Sequence, residues 1–217
     1  MTCLDCTTSP LVEQKPYIPY NRRPVYGVGI NDFPTPVVVN GKNIRPYSLW
    51  ATMLKRCYST DCQKKQPAYT GCSVSKEWLS FTAFEKWFSE NYIEGYQLDK
   101  DLLVTGNRVY APETCIFVSH TINSLLLDCR AARGEHPLGV SFNKRAKKYV
   151  AQISTGMVRR GLGYFSTALA AHQAWQLEKA AGIESAETDN PRIRAALGRR
   201  VAQLRDDYAN NRITVKL

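Results

Sequence analysis

The stretch from Leu138 to Ala181 constrains the fold more than any other part of this chain. Its first part holds three short runs with strand-like composition, separated by turn residues such as Thr155 and Gly156. Its last part follows Ser166 or Thr167, and either hydroxyl can cap the start of a helix. The three runs are Leu138–Phe142, Lys148–Ser154 and Val158–Tyr164. We therefore expect a three-stranded sheet that a helix covers on one face, leaving the other face free.

The same stretch is cationic. Between Leu138 and Phe165 there is no acidic residue, and there are six cations: Lys144, Arg145, Lys147, Lys148, Arg159 and Arg160. Clustered like charges repel, so folding alone explains them poorly, whereas a polyanion gains affinity when cations displace its condensed counterions. The formal charge of +10 and the pI near 9.3 agree with a nucleic-acid partner. A solvated basic face on an ordinary small domain is the alternative.

The pattern of this stretch resembles the APETALA2-type DNA-binding domain. The matching residues are Gly139-Val140, Tyr149–Ile153, Leu162–Phe165, Thr167, Ala170-Ala171 and Ala174-Trp175. The resemblance covers residues 137–182 and implies a sheet laid in the major groove of double-stranded DNA, with strand side chains contacting the bases. The implied contact residues, together with the neighbouring cations, are Ser141, Asn143, Lys144, Arg145, Lys147, Lys148, Gln152, Arg159 and Arg160.

A second pattern precedes this module. Leu98–Val104 and Cys115–Ser119 are strand-like, a turn is predicted at residues 105–108, and Ser119 can open a helix that runs to Leu127. This order resembles the HNH nuclease family and its ββα-metal fold. The resemblance implies a bound Mg²⁺ or another divalent metal, with Asp99 and Asn123 in the ligand positions and Asn107 bracing the loop.

One position departs from the HNH pattern, because Lys100 stands where the family has its catalytic histidine. An HNH enzyme needs a neutral imidazole to take a proton from water. Lysine is protonated at neutral pH unless it is strongly desolvated. Lys100 can therefore grip a phosphate, or act as a base only with a greatly lowered pKa. In a regular strand Asp101 would lie on the opposite side from Lys100. His120, just before the helix, is a further candidate ligand or base.

The order of features from Tyr47 to Ala181 resembles phage-encoded HNH homing-endonuclease-like proteins that carry an APETALA2-type module. We therefore predict an α+β chain with four parts. These are a proline-rich arm (1–46), an HNH-like domain with aromatic-rich helices (47–130), the sheet-and-helix module (137–182), and an amphipathic helix with a tail (190–217). The apolar stripe of the last helix can pack on the body or pair with a partner chain; its residues are Ile193, Leu197, Val201, Leu204 and Tyr208.

The cysteine pattern and the chain's hydropathy indicate which bonds, metals and cell compartment to expect. The number of cysteines, seven, is odd, which argues against a complete disulfide framework. Cys57, Cys62 and Cys72 could bind zinc with one further ligand, but they lack a paired CxxC, and buried free thiols are the commoner case. Cys3 and Cys6 have ligand-like spacing without a second pair nearby. The sequence has no apolar run of roughly 20 residues and no signal-peptide pattern, so we expect no membrane segment. We therefore expect a cytoplasmic protein, which would act in an infected bacterial host if a phage encodes it.

Two functions remain open at this point. In the first, the module binds duplex DNA and the HNH-like core nicks it with a divalent metal, weakly or not at all because of Lys100. In the second, the chain is a non-catalytic factor that keeps the scaffold and acts on DNA or on a host protein as a regulator or inhibitor.

Overall fold

The computed structural model describes residues 23–126, 135–155 and 158–217 and is a mixed α+β structure. The predicted turn at Thr155-Gly156 and the end of the predicted helix at Leu127 fall partly or wholly outside these residues, as do Cys3 and Cys6. The helices are α1 (Arg45–Tyr58), α2 (Thr60–Lys65), α3 (Phe81–Asn91), α4 (His120–Leu125), α5 (Ala168–Glu184) and α6 (Pro191–Ala209). The strands are β1 (Val38–Val39), β2 (Lys42–Asn43), β3 (Ser73–Val74), β4 (Gln97–Asp99), β5 (Val109–Tyr110), β6 (Ile116–Val118), β7 (Val140–Asn143), β8 (Lys148–Thr155) and β9 (Val158–Phe165).

An aromatic core holds the first half together. α1 starts with a proline in its first turn, and its buried face packs against α3. The indole of Trp50 donates a hydrogen bond of 2.7 Å to the carbonyl of Trp78, which joins α1 to the segment before α3. The fully buried large side chains here are Trp50, Met53, Leu54, Trp78, Phe81 and Phe84. The aromatic residues of these helices are therefore core residues, as their helical spacing indicates.

The region predicted as strand, loop, strand and helix is only partly so built. β4 pairs with β6 in antiparallel register, and Ser119 caps α4 by accepting from the amide of Ile122. The predicted strand Leu98–Val104 is wrong beyond Asp99, because the chain leaves the ladder there. The Asp99 carboxylate accepts hydrogen bonds from the amides of Asp101 (2.9 Å) and Leu102 (2.6 Å), which folds the next residues into a turn. Such side-chain bonds compete with the backbone ladder.

The module folds as its sequence pattern predicts. β7, β8 and β9 form an antiparallel sheet in that order, and α5 packs on it. Thr167 caps α5, accepting from the amide of Ala170. Gly139 lies at φ +74°, and a methyl group there would lie 1.9 Å from the ring of Trp175. Only glycine fits where the sheet and α5 approach this closely.

Residue polarity does not decide which side of α5 is buried. Leu177 is 47% exposed, whereas His172, Gln176 and Lys179 are buried. The reason is the C-terminal tail. His172 accepts from the amide of Thr214 at 2.9 Å, and Gln176 donates to the hydroxyl of Thr214 at 2.9 Å. Polar side chains are thus buried here because they hold a segment about forty residues further along the chain.

α6 packs on the body of the same chain. Its residues Ile193, Leu197, Val201 and Leu204 are buried, while Tyr208 is partly exposed. The four buried residues share one apolar cluster with Ile116 and Ile122 of the β6–α4 region and with Trp175 and Ile183 of α5; the remaining buried members are Leu102, Val118, Leu138, Ile153, Ala180 and Ala196. The two predicted domains and α6 therefore meet in a common core. Within the described residues, no helix is both long and apolar enough to cross a bilayer.

Candidate functional site

The sheet of the module has one side turned away from α5, which we call the outer face. Cross-strand partners in an antiparallel ladder share a side, so the register identifies its members. The residues of the outer face are Ser141, Asn143, Lys148, Val150, Gln152, Ser154, Arg159 and Tyr164. Gln152 donates a hydrogen bond of 3.1 Å to Ser141, and Tyr164 is 58% exposed. The outer face thus combines polar, cationic and aromatic groups.

The turn from β7 to β8 adds further cations at one edge of this face. Asn143 accepts a hydrogen bond of 2.9 Å from the amide of Ala146, which closes the turn. Lys147 adopts φ +52°, the left-handed conformation that such a turn needs. Lys144, Arg145 and Lys147 are all exposed. Asn143 therefore shapes the turn, and the three cations are presented to solvent.

Arg160 lies apart from the other predicted contact residues. Its cross-strand partner is Ile153, a buried residue on the side that faces α5. Its guanidinium forms an ion pair with Glu178 of α5. Arg159, one position earlier, pairs with the exposed Ser154 and lies on the outer face. The structure therefore brings together eight of the nine predicted contact residues and places Arg160 on the other side of the sheet.

In the region that resembles the HNH motif, Asp99 has a structural task. One of its carboxylate oxygens accepts the two backbone amides of the turn described above. Burial, with a smaller contribution from the nearby Asp101, raises the pKa of Asp99 above its ordinary value. The raised pKa means that the folded protein disfavours the ionised form, which is the form that binds a metal.

Asn123, the other predicted metal ligand, is also engaged. Its amide donates a hydrogen bond of 2.6 Å to Gln97, and Gln97 lies 3.4 Å from Nδ1 of His120. In the described parts of the chain no group of three or more His, Cys, Asp or Glu side chains could hold a metal ion. One half-buried carboxylate and one amide do not make the oxygen-rich ligand set that Mg²⁺ or Ca²⁺ prefers. Divalent metal binding here stays a prediction.

Lys100 is held inside the loop that follows β4. Its side chain is 11% exposed, and its ammonium donates to Asp101 at 3.1 Å and to the carbonyl of Asn107 at 3.2 Å. The prediction that Asp101 lies on the opposite side is therefore wrong, because the strand has ended. Both contacts use N–H donors of the ammonium. A lysine that served as a proton acceptor would have to give up part of this arrangement.

Asn107 does brace the loop. Its amide donates to the carbonyls of Lys100 (2.6 Å) and Val109 (2.7 Å), and its oxygen accepts from the amide of Val109 (3.1 Å). Lys100 and Asn107 therefore bind each other's backbone carbonyls. This reciprocal pair fixes the loop between β4 and β5.

Sequence reasoning missed Arg200 of α6. Its guanidinium is buried and donates to the carbonyls of Asp101 (3.1 Å) and Leu102 (3.3 Å) and to the hydroxyl of Thr105. Burial lowers the pKa of Arg200. The sequence signal was an arginine within the apolar stripe of α6, since Arg200 lies next to Val201 and one turn before Leu204. Arg200 thus ties α6 to the same loop.

Of the three cysteines considered for zinc, Cys57 and Cys72 lie in the aromatic core and Cys62 lies on α2. Cys57 and Cys72 are buried and Cys62 is half-buried, and all three are free thiols. Burial raises the pKa of Cys57 to about 12. Since zinc binds the thiolate, this environment disfavours the reactive form.

A cleft of about 1260 Å³ opens above the loop that carries Lys100 and Asn107. The helix α1 contributes Arg45, Ser48, Leu49, Thr52 and Arg56 to its lining, and Val215, Lys216 and Leu217 also line it. Its charged lining comprises six cations and two acids: Arg45, Arg56, Lys100, Arg108, Arg200, Lys216, Asp99 and Asp101.

The chain was also compared with protein-family models, with curated proteins and with solved structures, and none of the three comparisons finds a match.

Proposed function

We propose that this chain binds double-stranded DNA through the outer face of its three-stranded sheet. The observation that carries the proposal is the outer face together with its turn, where Lys148, Arg159 and three turn cations surround polar side chains that can reach base edges. The segment from Leu138 to Phe165 contains no acidic residue to offset them. Phosphate contacts supply affinity, and side chains such as Gln152 supply sequence preference.

The resemblance to phage HNH homing-endonuclease-like proteins supports the same proposal, with weak or absent cleavage. The ammonium of Lys100 donates to the carboxylate of Asp101 and to the carbonyl of Asn107. One carboxylate oxygen of Asp99 accepts the two amides of the turn. These contacts favour the non-catalytic form of the function, in which the HNH-like core is a scaffold.

The binding test is the salt dependence of affinity for duplex DNA. If the five outer-face and turn cations contact phosphates, the logarithm of affinity should fall with the logarithm of salt concentration at a slope of about −4.5. Fluorescence anisotropy with a labelled duplex measures this slope. An affinity that stays flat between low and moderate salt would contradict the proposal.

The cleavage test is nicking of supercoiled plasmid in Mg²⁺ or Mn²⁺. We expect little or no nicking by the natural sequence. Lys100→His returns an imidazole, whose ordinary pKa near 6.5 suits a base, and is expected to give at most a trace of activity. Robust nicking by the natural protein that is lost in Asp99→Ala and Asn123→Ala would make the chain an enzyme.

A further inference from the structure

A groove of about 480 Å³ lies between the C-terminal end of α5 and one side of α6. Among the described residues that line it, none belongs to the outer face or to the loop between β4 and β5. Its volume falls within the range of roughly 300–1,000 Å³ that is typical of small-molecule pockets. Three buried apolar side chains contribute to its lining, namely Ile183, Leu197 and Val201. The groove therefore offers a packed apolar surface to a ligand.

Gly198 lines the groove from the interior of α6. A glycine inside a helix is less stable than alanine, because it loses more backbone freedom on folding. Within the described residues, a methyl group added at Gly198 would meet no packing atom within 4 Å. Packing therefore does not require glycine at this position. Its effect is to leave the groove open down to the helix backbone, and Ala202, one turn later, continues this shallow floor.

The charged groups of the groove favour a ligand with one negative charge. Arg205 forms an ion pair with Glu184 at 2.7 Å, so these two charges offset each other. Arg194 donates to the carbonyl of Thr188 at 2.6 Å, and this neutral acceptor leaves its charge in place. The other N–H groups of Arg194 can still donate to a partner. One cation beyond the ion pair thus lines the groove.

The order of these groups along α6 sets the polarity of the ligand. Arg194 lies one turn before Gly198, and Arg205 lies eleven residues after Arg194, which is roughly 16 Å along a helix. The open floor at Gly198 and Ala202 lies between them. A molecule that follows the groove would therefore place an anion beside Arg194 and an apolar body over the floor, with the neutral ion pair at the far end.

We propose that this groove binds a small aliphatic monocarboxylate, such as a medium-chain fatty acid. Arg194 donates charge-assisted hydrogen bonds to the carboxylate. The chain of the ligand covers Ile183, Leu197 and Val201, and it is aliphatic because the apolar side chains that line the groove in the described chain are all aliphatic. The proposal goes beyond DNA binding and does not depend on it.

Calorimetric titration with decanoate, below its micelle concentration, measures binding, and NMR locates it. We expect saturable binding with the largest amide shifts at Gly198 and Ala202, and no shift at Gln152 of the outer face. Decanol carries the same chain without the charge and should bind roughly tenfold more weakly, the scale of one charge-assisted hydrogen bond. No saturable binding, equal binding of decanol, or shifts centred on the outer face would each overturn the proposal.

A first pair of variants separates the groove from the fold. Gly198→Leu fills the floor and should weaken decanoate binding by about tenfold or more. It should also raise the melting temperature, because leucine is the better helix former. Gly182→Leu is the matched control, since Gly182 is another helical glycine whose added methyl group would meet open space, and it does not line the groove. It should keep the affinity of the natural chain.

A second pair tests the charge. Arg194→Gln should weaken decanoate binding roughly tenfold and leave decanol binding unchanged. Arg192→Gln is its control, because Arg192 is also exposed and donates to one backbone carbonyl, that of Glu113 at 2.8 Å, without lining the groove. Equal affinities within either pair would overturn the proposal. The titrations contain no DNA, so a failure of duplex binding would count against the proposed function alone.

Discussion

Two regions of this molecule carry residues that the sequence patterns predict to act on DNA, and they use those residues in opposite ways. In the loop between β4 and β5, Asp99, Lys100 and Asn107 direct their polar groups at the loop's own backbone and at Asp101. On the outer face of the module, Lys148 and Arg159 are exposed to solvent. A ligand binds most readily to polar groups that make no hydrogen bonds within the protein.

The contrast shows that residues matching a motif can be needed for folding, whatever their part in catalysis. Asp99 shapes a turn and Asn107 bridges two carbonyls, so both residues are needed for the loop whether or not a metal binds. A match at these positions is therefore weak support for catalysis. Cations on the outer face do not contribute to the core in this way, so their abundance is better support for a partner.

The largest expected effect tests whether the loop is held from inside the protein. Arg200→Ala leaves the carbonyls of Asp101 and Leu102 buried without their donor, at a cost of about 2–5 kcal/mol in the free energy of unfolding. Arg199→Ala is the control, because exposed Arg199 donates to the single carbonyl of Leu103 at 2.8 Å. Denaturant unfolding measures both. The contrast between the regions weakens if the two variants lose similar stability.

The second-largest expected effect tests Asn107, which holds the loop between β4 and β5. Asn107→Ala removes the donor to Lys100 and Val109 and should cost about 1–3 kcal/mol of stability. Affinity for duplex DNA should stay within twofold of the natural chain, provided the variant is measured below its melting temperature. A large loss of duplex affinity in a folded variant would show that this loop, too, contacts the DNA.

The third effect tests the outer face with neighbouring arginines. Arg159→Ala should weaken duplex binding about tenfold and make the salt slope shallower by about 0.9, as expected for one lost phosphate contact. Arg160→Ala is its matched control, because Arg160 is paired with Glu178 on the α5 side. Its effect on affinity should be small. Equal losses in the two variants would mean that DNA reaches both sides of the sheet.

The parts that sequence could predict were those with local causes. The three strands of the module follow from short strand-like runs and turn residues, and the start of α5 follows from the Thr167 hydroxyl. The stripe of α6 was equally clear, since four of its five predicted apolar residues are buried. Each of these signals lies within a few residues of the structure that it specifies.

The parts that could not be predicted depend on distant contacts. The buried His172 and Gln176 are explained only by Thr214, and Arg200 only by a loop about one hundred residues earlier. The alternation of apolar and polar residues also could not show that Asp99 would end its strand by accepting a hydrogen bond from the amide of Asp101. Side chains of the candidate site are therefore harder to place than the strands that carry them.

The smallest expected effect separates a structural Asp99 from a metal ligand. Burial raises the pKa of its carboxyl, so on raising the pH the unfolded chain loses this proton first, near 3.8. Stability therefore falls between that pH and the higher folded pKa, and the penalty remains above it. Asp99→Asn keeps an oxygen that can accept from Asp101 and Leu102 but never ionises. It should be at least as stable as the natural chain at neutral pH.

Unfolding curves of the natural chain and Asp99→Asn, measured in EDTA at neutral pH and at about pH 3.5, check the sign. The advantage of the asparagine variant should shrink or reverse in acid, where the natural carboxyl is mostly protonated in both states. Repeating the neutral measurement with Mg²⁺ adds a second readout, because a ligand that binds only the folded state raises its stability. If Mg²⁺ stabilises the natural chain and leaves Asp99→Asn unchanged, Asp99 is a metal ligand. The loop between β4 and β5 would then resemble the outer face, because both regions would have polar groups available to a ligand.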